Sequence, residues 1–255
     1  MTRSLFYVTI GAIIFGAQAF GQIVVVPNAN TTVVGGDTSG NLAGASGSYE
    51  IQEIFGNGQM PPTPITITGF AWRAVPGTGP VSVTVTGAIY LSSSPNYPNN
   101  ASGHTLISTT FAANVGADNT LVASPSSFVI TDPACPVSGT TPCQFGPPIP
   151  LTPFYFNPAN GRLLMDLKLT SVTGTSGQWD VQDCPSSTNC TANGIAVSPL
   201  GTATAPAVQF SSNVTEFTYT ASGVSATPVP ASILLTLAGL ACVAFFAARR
   251  GWKLA

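Results

Sequence analysis

The sequence predicts an all-β body, an antiparallel two-sheet β-sandwich with the jelly roll as its variant. An N-terminal signal helix and a C-terminal transmembrane helix flank it. Three observations lead there. Apolar and polar residues alternate with period two in segment after segment of residues 22–221, as strands with one buried face require. The chain carries 22 prolines and 26 glycines, which with many Ser, Thr and Asn residues cut the pattern into short pieces. Between the two ends no stretch shows the i, i+3, i+4 spacing of an amphipathic helix. No repeat of fixed period argues for a propeller or β-helix, and the uneven spacing disfavours a barrel.

The first element is MTRSLFYVTIGAIIFGAQAF, in which Arg3 is the positive start and Leu5 to Gly16 an apolar stretch of secretory length. Ala17 and Ala19 supply the small-x-small pattern read by signal peptidase, so residues 1–19 form a signal peptide, with Gly21 as the alternative end. In the body, SYEIQEIF places Glu50 and Glu53 on opposite faces of a strand, because their separation is three. PITITGFAWRAV contains a phase error: Ile65 and Ile67 are odd-numbered, Phe70 and Trp72 even. A β-bulge at Gly69 would return all four to one side.

VSVTVTGAIYL sets Val81, Val83 and Val85 against Ser82, Thr84 and Thr86. FYF turns Phe154 and Phe156 one way and Tyr155 the other. RLLMDLKLT gathers Leu163, Met165, Leu167 and Leu169 on one face, opposite Asp166, Lys168 and Thr170. VTEFTYTA ends the body, with Phe217 and Tyr219 against Glu216 and Thr218. Residues 222–230 then read as a linker ending in Pro228, Val229 and Pro230. Residues 231–248 form an apolar run of 18 residues, at the threshold of a membrane span. Residues 249–255 are a basic tail whose Arg249, Arg250 and Lys253 predict a cytoplasmic end by the positive-inside rule.

Charged residues make up only 6% of the chain. Within the body the basic residues are Arg73, Arg162 and Lys168, against nine acidic ones, a formal charge of −6. Such a surface offers phosphates little to bind, which excludes nucleic acid as a partner. Of the five cysteines, Cys242 lies in the apolar run, and the others form two tight pairs, Cys135 with Cys143 and Cys184 with Cys190. In an exported chain these read as local disulfides. Zinc would ask for closer spacing and for histidine, and His104 is the only one.

Catalytic chemistry finds little footing. His104 sits in a Gly/Asn/Pro-rich loop, with no G-x-S-x-G elbow in the chain to supply a nucleophile. A carboxylate pair for glycoside hydrolysis would have to converge through the fold, since Glu50 and Glu53 point apart. Asp180 and Asp183 in QWDVQDC are weak calcium candidates without a calcium-loop pattern. Trp72, Trp179, Tyr90, Tyr97 and the FYF segment are candidates for stacking on sugars. No cofactor is implied.

The order Pro228-Val229-Pro230, apolar run with Leu237-Ala238-Gly239-Leu240 at its middle, then Arg249-Arg250 resembles a PEP-CTERM sorting signal. Members of that family typically read V-P-E-P; here Val229 occupies the glutamate position and Thr227 that of the first valine. The resemblance implies a Gram-negative, exopolysaccharide-making host. It also implies an exosortase that recognises the motif in the inner membrane, and release of the body to the cell surface or matrix. The order YEIQEIF, PITITGFAWR, YLSSS, TTFAANVGADNTLV, FYFNPANGRLLMDLKL resembles uncharacterised secreted modules that precede such tails. Together these readings predict a non-enzymatic structural or adhesive surface protein. Signal peptidase and exosortase would be its processing enzymes, and a polysaccharide its potential contact. The alternatives are a permanently anchored single-pass protein, a carbohydrate-binding module or a glycan hydrolase.

Overall fold

The computed structural model describes residues 21–35, 37–40, 48–56, 58–78, 80–98, 105–135, 140–175, 178–183, 193–209 and 211–222. The strands among them are β1 (Gln22–Val26), β2 (Asp37–Gly40), β3 (Tyr49–Phe55), β4 (Ile65–Trp72), β5 (Val81–Ser94), β6 (Thr120–Asp132) and β7 (Ile149–Phe156). They continue with β8 (Arg162–Thr175), β9 (Trp179–Asp183), β10 (Asn193–Pro199), β11 (Val208–Gln209), β12 (Ser211–Asn213) and β13 (Thr215–Ala221). The described helical structure is confined to short 3₁₀ turns such as Asn28–Thr31 and Phe111–Asn114. Among the described residues no helix is long and apolar enough to cross a membrane.

The strands pair antiparallel into a four-stranded sheet of order β1-β13-β4-β7, a six-stranded sheet of order β11-β10-β3-β8-β5-β6, and a small sheet β12-β9-β2. The alternation seen in the sequence explains why the two larger sheets share one core. From the six-stranded sheet come Val83, Val85, Ile89, Leu91, Leu163, Met165, Leu167 and Leu169; from the four-stranded one, Ile65, Ile67, Phe70, Phe154, Phe156 and Phe217. Phe55 and Phe217 meet edge to face across the gap, with ring centroids 5.0 Å apart.

The bulge expected at Gly69 is present. Against β13, Ile67 pairs with Tyr219 and Gly69 with Thr218, leaving Thr68 as the extra residue. Against β7 the register also shifts here, from Ile67 with Phe154 to Gly69 with Pro150, with the surplus residues on β7. Ile65, Ile67, Phe70 and Trp72 are all buried as a result. A side chain at Gly69 would press to 3.0 Å from the Ile149 carbonyl, so a larger residue there would push on the neighbouring strand. A second irregularity, between Thr86 and Gly87 against β8, bends the long β5–β8 pair. There a Cβ would collide with the Lys168 carbonyl.

The outer face of the six-stranded sheet departs from the simplest reading of the alternation. Glu50 and Glu53 do point to opposite faces, Glu53 to the core side with Ile51 and Phe55, yet on the outer side Glu50, Gln52 and Ile54 are buried as well. The reason is a cover. Ile107 and Phe111, from the connection between β5 and β6, and Ala205, from that between β10 and β11, pack onto Ile54 and Leu164 as a second apolar cluster.

Cys135 and Cys143 form a disulfide across eight positions, Cα–Cα 5.8 Å. Backbone bonds between Cys135 and Gly77 and Thr78 tie it to the connection between β4 and β5. Replacing both cysteines by serine is expected to lower unfolding free energy by about 2 kcal/mol through loop-closure entropy. Denaturant melts of oxidised wild type and of the double variant under the same oxidising conditions check this. Cys184 and Cys190 lie outside the described residues.

Candidate functional site

Strand register assembles a polar cluster on the covered face of the six-stranded sheet. Glu50 of β3 stands opposite Lys168 of β8, and one row along Gln52, Asp166 and Tyr90 align across β3, β8 and β5. Lys168 Nζ lies 3.3 Å from Glu50 Oε1 and 3.7 Å from Asp166 Oδ2, and 5.6 Å from the Tyr90 ring centroid. Burial pushes the Asp166 carboxyl up to about 6, with Glu50 adding to the rise and the nearby Lys168 and Gln52 opposing it. Burial alone would lower Lys168, but Asp166 and Glu50 outweigh it and hold the ammonium above its ordinary value. The cluster therefore has one solvent-facing cation over two buried carboxyls, a poor arrangement for a substrate that must reach the acids.

What the cluster does is hold its own cover. Asn114 Nδ2 donates to Gln52 Oε1 at 2.9 Å and to the Ser108 carbonyl at 2.8 Å, while Asn114 Oδ1 accepts from Ser108 N and Asn96 Nδ2. Asp118 accepts from both the backbone N–H and the hydroxyl of Ser93 at 2.6 Å. These bonds satisfy part of the polar surface that covering the sheet would otherwise strand, while Gln52 Nε2 and Asp166 Oδ1 are buried without a partner among the described residues.

At the end of the two large sheets, between the connection of β3 to β4 and the turn from β7 to β8, lies a cleft of about 510 Å³. Phe55, Met60, Phe156 and Leu163 form its floor, with Gly58 and Ala159 at the rim and Arg162 at one side. Both rims are fixed: Asn28 donates to the Gly58 carbonyl at 3.0 Å and to Gln59 Oε1 at 2.7 Å, and Asn157 Oδ1 accepts from Ala159 N at 3.0 Å. Sequence reading passed over Arg162. The available signal was a cation directly after the NPANG turn, at the mouth of a strand.

The residues singled out from sequence distribute differently. Trp72 and Trp179 are not a sugar platform: they are core residues 2% and 0% exposed, their rings 5.6 Å apart. Phe154 and Phe156 are buried too, while Tyr155 faces solvent, as the alternation required. Tyr90 and Tyr97 are half-buried beneath Lys168 and Arg162. Asp180, a calcium candidate, instead spends both oxygens inside the protein: Oδ2 accepts from Arg73 Nε at 2.6 Å and Oδ1 from Gly35 N at 2.8 Å. Among the described residues no group of three or more His, Cys, Asp or Glu side chains is placed to hold a metal. The Asp183 side chain, His104, Ala17 and Ala19, Pro228, Val229 and Pro230, and Arg249, Arg250 and Lys253 lie outside the described residues. The chain matches no protein-family model and no curated protein.

Proposed function

We propose that this chain is an exported surface or matrix protein whose two large sheets form a β-sandwich, jelly-roll-like in its variant, with a structural or adhesive rather than enzymatic role. The observation that carries the proposal is the tripartite end: Pro228-Val229-Pro230, the apolar residues 231–248, then Arg249 and Arg250. Residues 1–19 act as the signal peptide removed by signal peptidase. The C-terminal segment holds the precursor in the inner membrane until an exosortase processes it, and polysaccharide is the contact at the destination. The Cys135–Cys143 disulfide supports an oxidising destination. The scaffold role is supported by where the chemically promising side chains go, Trp72 and Trp179 into the core and Asp180 into an ion pair.

Intact mass of the protein from its native host tests the sorting. The expected species lacks residues 1–19 and everything from the apolar run onward. Val229, where the family carries glutamate, favours a second reading, a permanently anchored single-pass protein. A surface fraction that retains Phe245, Phe246 and Trp252 would select that reading and end the first. A glycan array with host polysaccharides tests adhesion; silence on all of them counts against a glycan contact.

A further inference from the structure

The turn that joins β7 to β8 presents an asparagine with nothing to hold its side chain. The chain has three Asn-Gly pairs, beginning at Asn57, Asn160 and Asn193, and only at Asn160 is the asparagine side chain among those described. Asn160 N donates to the Asn157 carbonyl at 2.9 Å, which closes the turn. Asn160 itself is exposed, and its side-chain amide has no hydrogen-bond partner among the described residues. The Gly161 N–H has none there either. Gly161 cannot be exchanged for a larger residue: its φ is +154°, and a Cβ would collide with the Ser94 carbonyl. The fold therefore fixes a glycine directly after a free, solvated asparagine.

We propose that Asn160–Gly161 is a self-modifying site, which deamidates with water as its co-reactant to a mixture of aspartate and isoaspartate. The Gly161 nitrogen gives its proton to solvent and attacks the carbonyl carbon of the Asn160 side chain. A new C–N bond forms, the bond to the side-chain nitrogen breaks, and that nitrogen takes a proton from water and leaves as ammonia. Water then opens the resulting succinimide ring at either carbonyl, with no oxidation or reduction. The conditions for attack meet here and fail at neighbouring asparagines. Glycine has no side chain to obstruct the approach, and an N–H without an acceptor gives up no hydrogen bond when it reacts. Asn157 precedes Pro158, whose nitrogen carries no proton. Asn114 is buried, with its amide bonded to Gln52, Ser108 and Asn96. Isoaspartate also changes the backbone, because it inserts one methylene ahead of Gly161. That residue already packs against Ser94, and the next, Arg162, donates to Tyr97 Oη at 3.0 Å, so the start of β8 must shift against the end of β5. The site is independent of how the protein is sorted.

Ageing of the full-length protein in lipid nanodiscs at mildly alkaline pH, followed by peptide mapping across residues 157–162, tests this. The expected result is a gain of one mass unit at Asn160, uptake of one oxygen atom from isotopically labelled water, and two chromatographically separate products with isoaspartate in excess. Conversion should quicken as pH rises, because the attacking nitrogen must lose its proton. Asn160→Gln, whose longer side chain would have to close a six-membered ring, should lose the conversion over the same period. Aged wild type should also unfold at a lower urea concentration than equally aged Asn160→Gln, which retains the other two Asn-Gly pairs and so isolates this one. Persistence of Asn160 in the folded protein overturns the proposal, and conversion of the urea-unfolded chain alone would assign that protection to the fold. Conversion to aspartate without isoaspartate overturns the succinimide route. Equal unfolding of the two aged proteins overturns the shift assigned to the start of β8.

Discussion

Arg73→Met is expected to lower the unfolding free energy by about 3–5 kcal/mol, the cost of leaving a buried carboxylate without its counter-ion. The Arg73 and Asp180 side chains are 1% and 0% exposed, and Nη2 and Nε both reach Asp180 Oδ2 at 2.6 Å. The pair does more than cancel charge. Arg73 Nη2 also donates to the Val33 carbonyl at 2.7 Å, Asp180 Oδ1 holds Gly35, and the backbones of the two residues bond at 2.9 Å. The end of β4, strand β9 and residues 33–35 are thereby joined at one point, beside the tilted Trp72–Trp179 contact. Asp180→Leu alone should cost a similar amount, because it strands the guanidinium instead. The double variant Arg73→Met/Asp180→Leu should recover more than half of the sum of the single losses, since an apolar pair of similar volume removes both desolvation penalties. Urea unfolding of the four proteins closes this cycle. Additive losses in the double variant would show that the bonds to Val33 and Gly35, not the charges, hold the joint.

That ion pair also marks the boundary of what the sequence made legible. Strand identity and core facing were readable from the alternation: Leu163, Met165, Leu167 and Leu169, and the Val83 and Val85 pair, lie on the core side where period two puts them. Even the phase error at Gly69 was interpretable, because a bulge is a local event. Partners distant in the chain leave no such trace. Asp180 lies 107 positions from Arg73, and in isolation the QWDVQDC context looks like a turn that could hold a cation. The aromatic candidates failed for a related reason: alternation tells which side Trp72 faces, not that Trp179 from another sheet closes over it. The face carrying Glu50 and Asp166 read as polar and so as wet, but its cover comes from loops whose sequence has no period. The end cleft was equally hidden, since its floor and rim come from two connections far apart in the chain.

Asp132 provides the other large expected effect, and its sign follows from linkage. The residue is 3% exposed, and among the described residues neither carboxylate oxygen has a hydrogen-bond partner. It lies against Gly146, where a Cβ would collide with Asp132 Oδ1 and the Thr131 carbonyl, and the Gly146 N–H is committed to the Trp72 carbonyl at 3.0 Å. Burial therefore pushes the carboxyl from 3.8 up to about 7, with Gly146 opposing only part of the rise. Between those values the folded protein retains a proton that the unfolded chain has lost, so stability falls as pH rises through the window and stays at its lower value above it. A displacement of this size is worth about 3–4 kcal/mol at pH 8. Asp166 acts in the same direction, from 3.8 to about 6. Asp132→Asn keeps the shape, removes the ionisation and leaves an amide still short of partners, so the net gain at pH 8 is expected to be about 1–3 kcal/mol. Near pH 4 the variant should be no more stable than wild type. Thermal or urea unfolding at intervals from pH 4 to 8 checks the shape: the wild-type decline continues to about pH 7, whereas the decline that remains in the variant, from Asp166 and from Glu216, which burial also raises, ends lower, near pH 6 for Asp166. A variant whose profile stays parallel to that of wild type would show that the Asp132 carboxyl is not raised by its burial and would end this assignment.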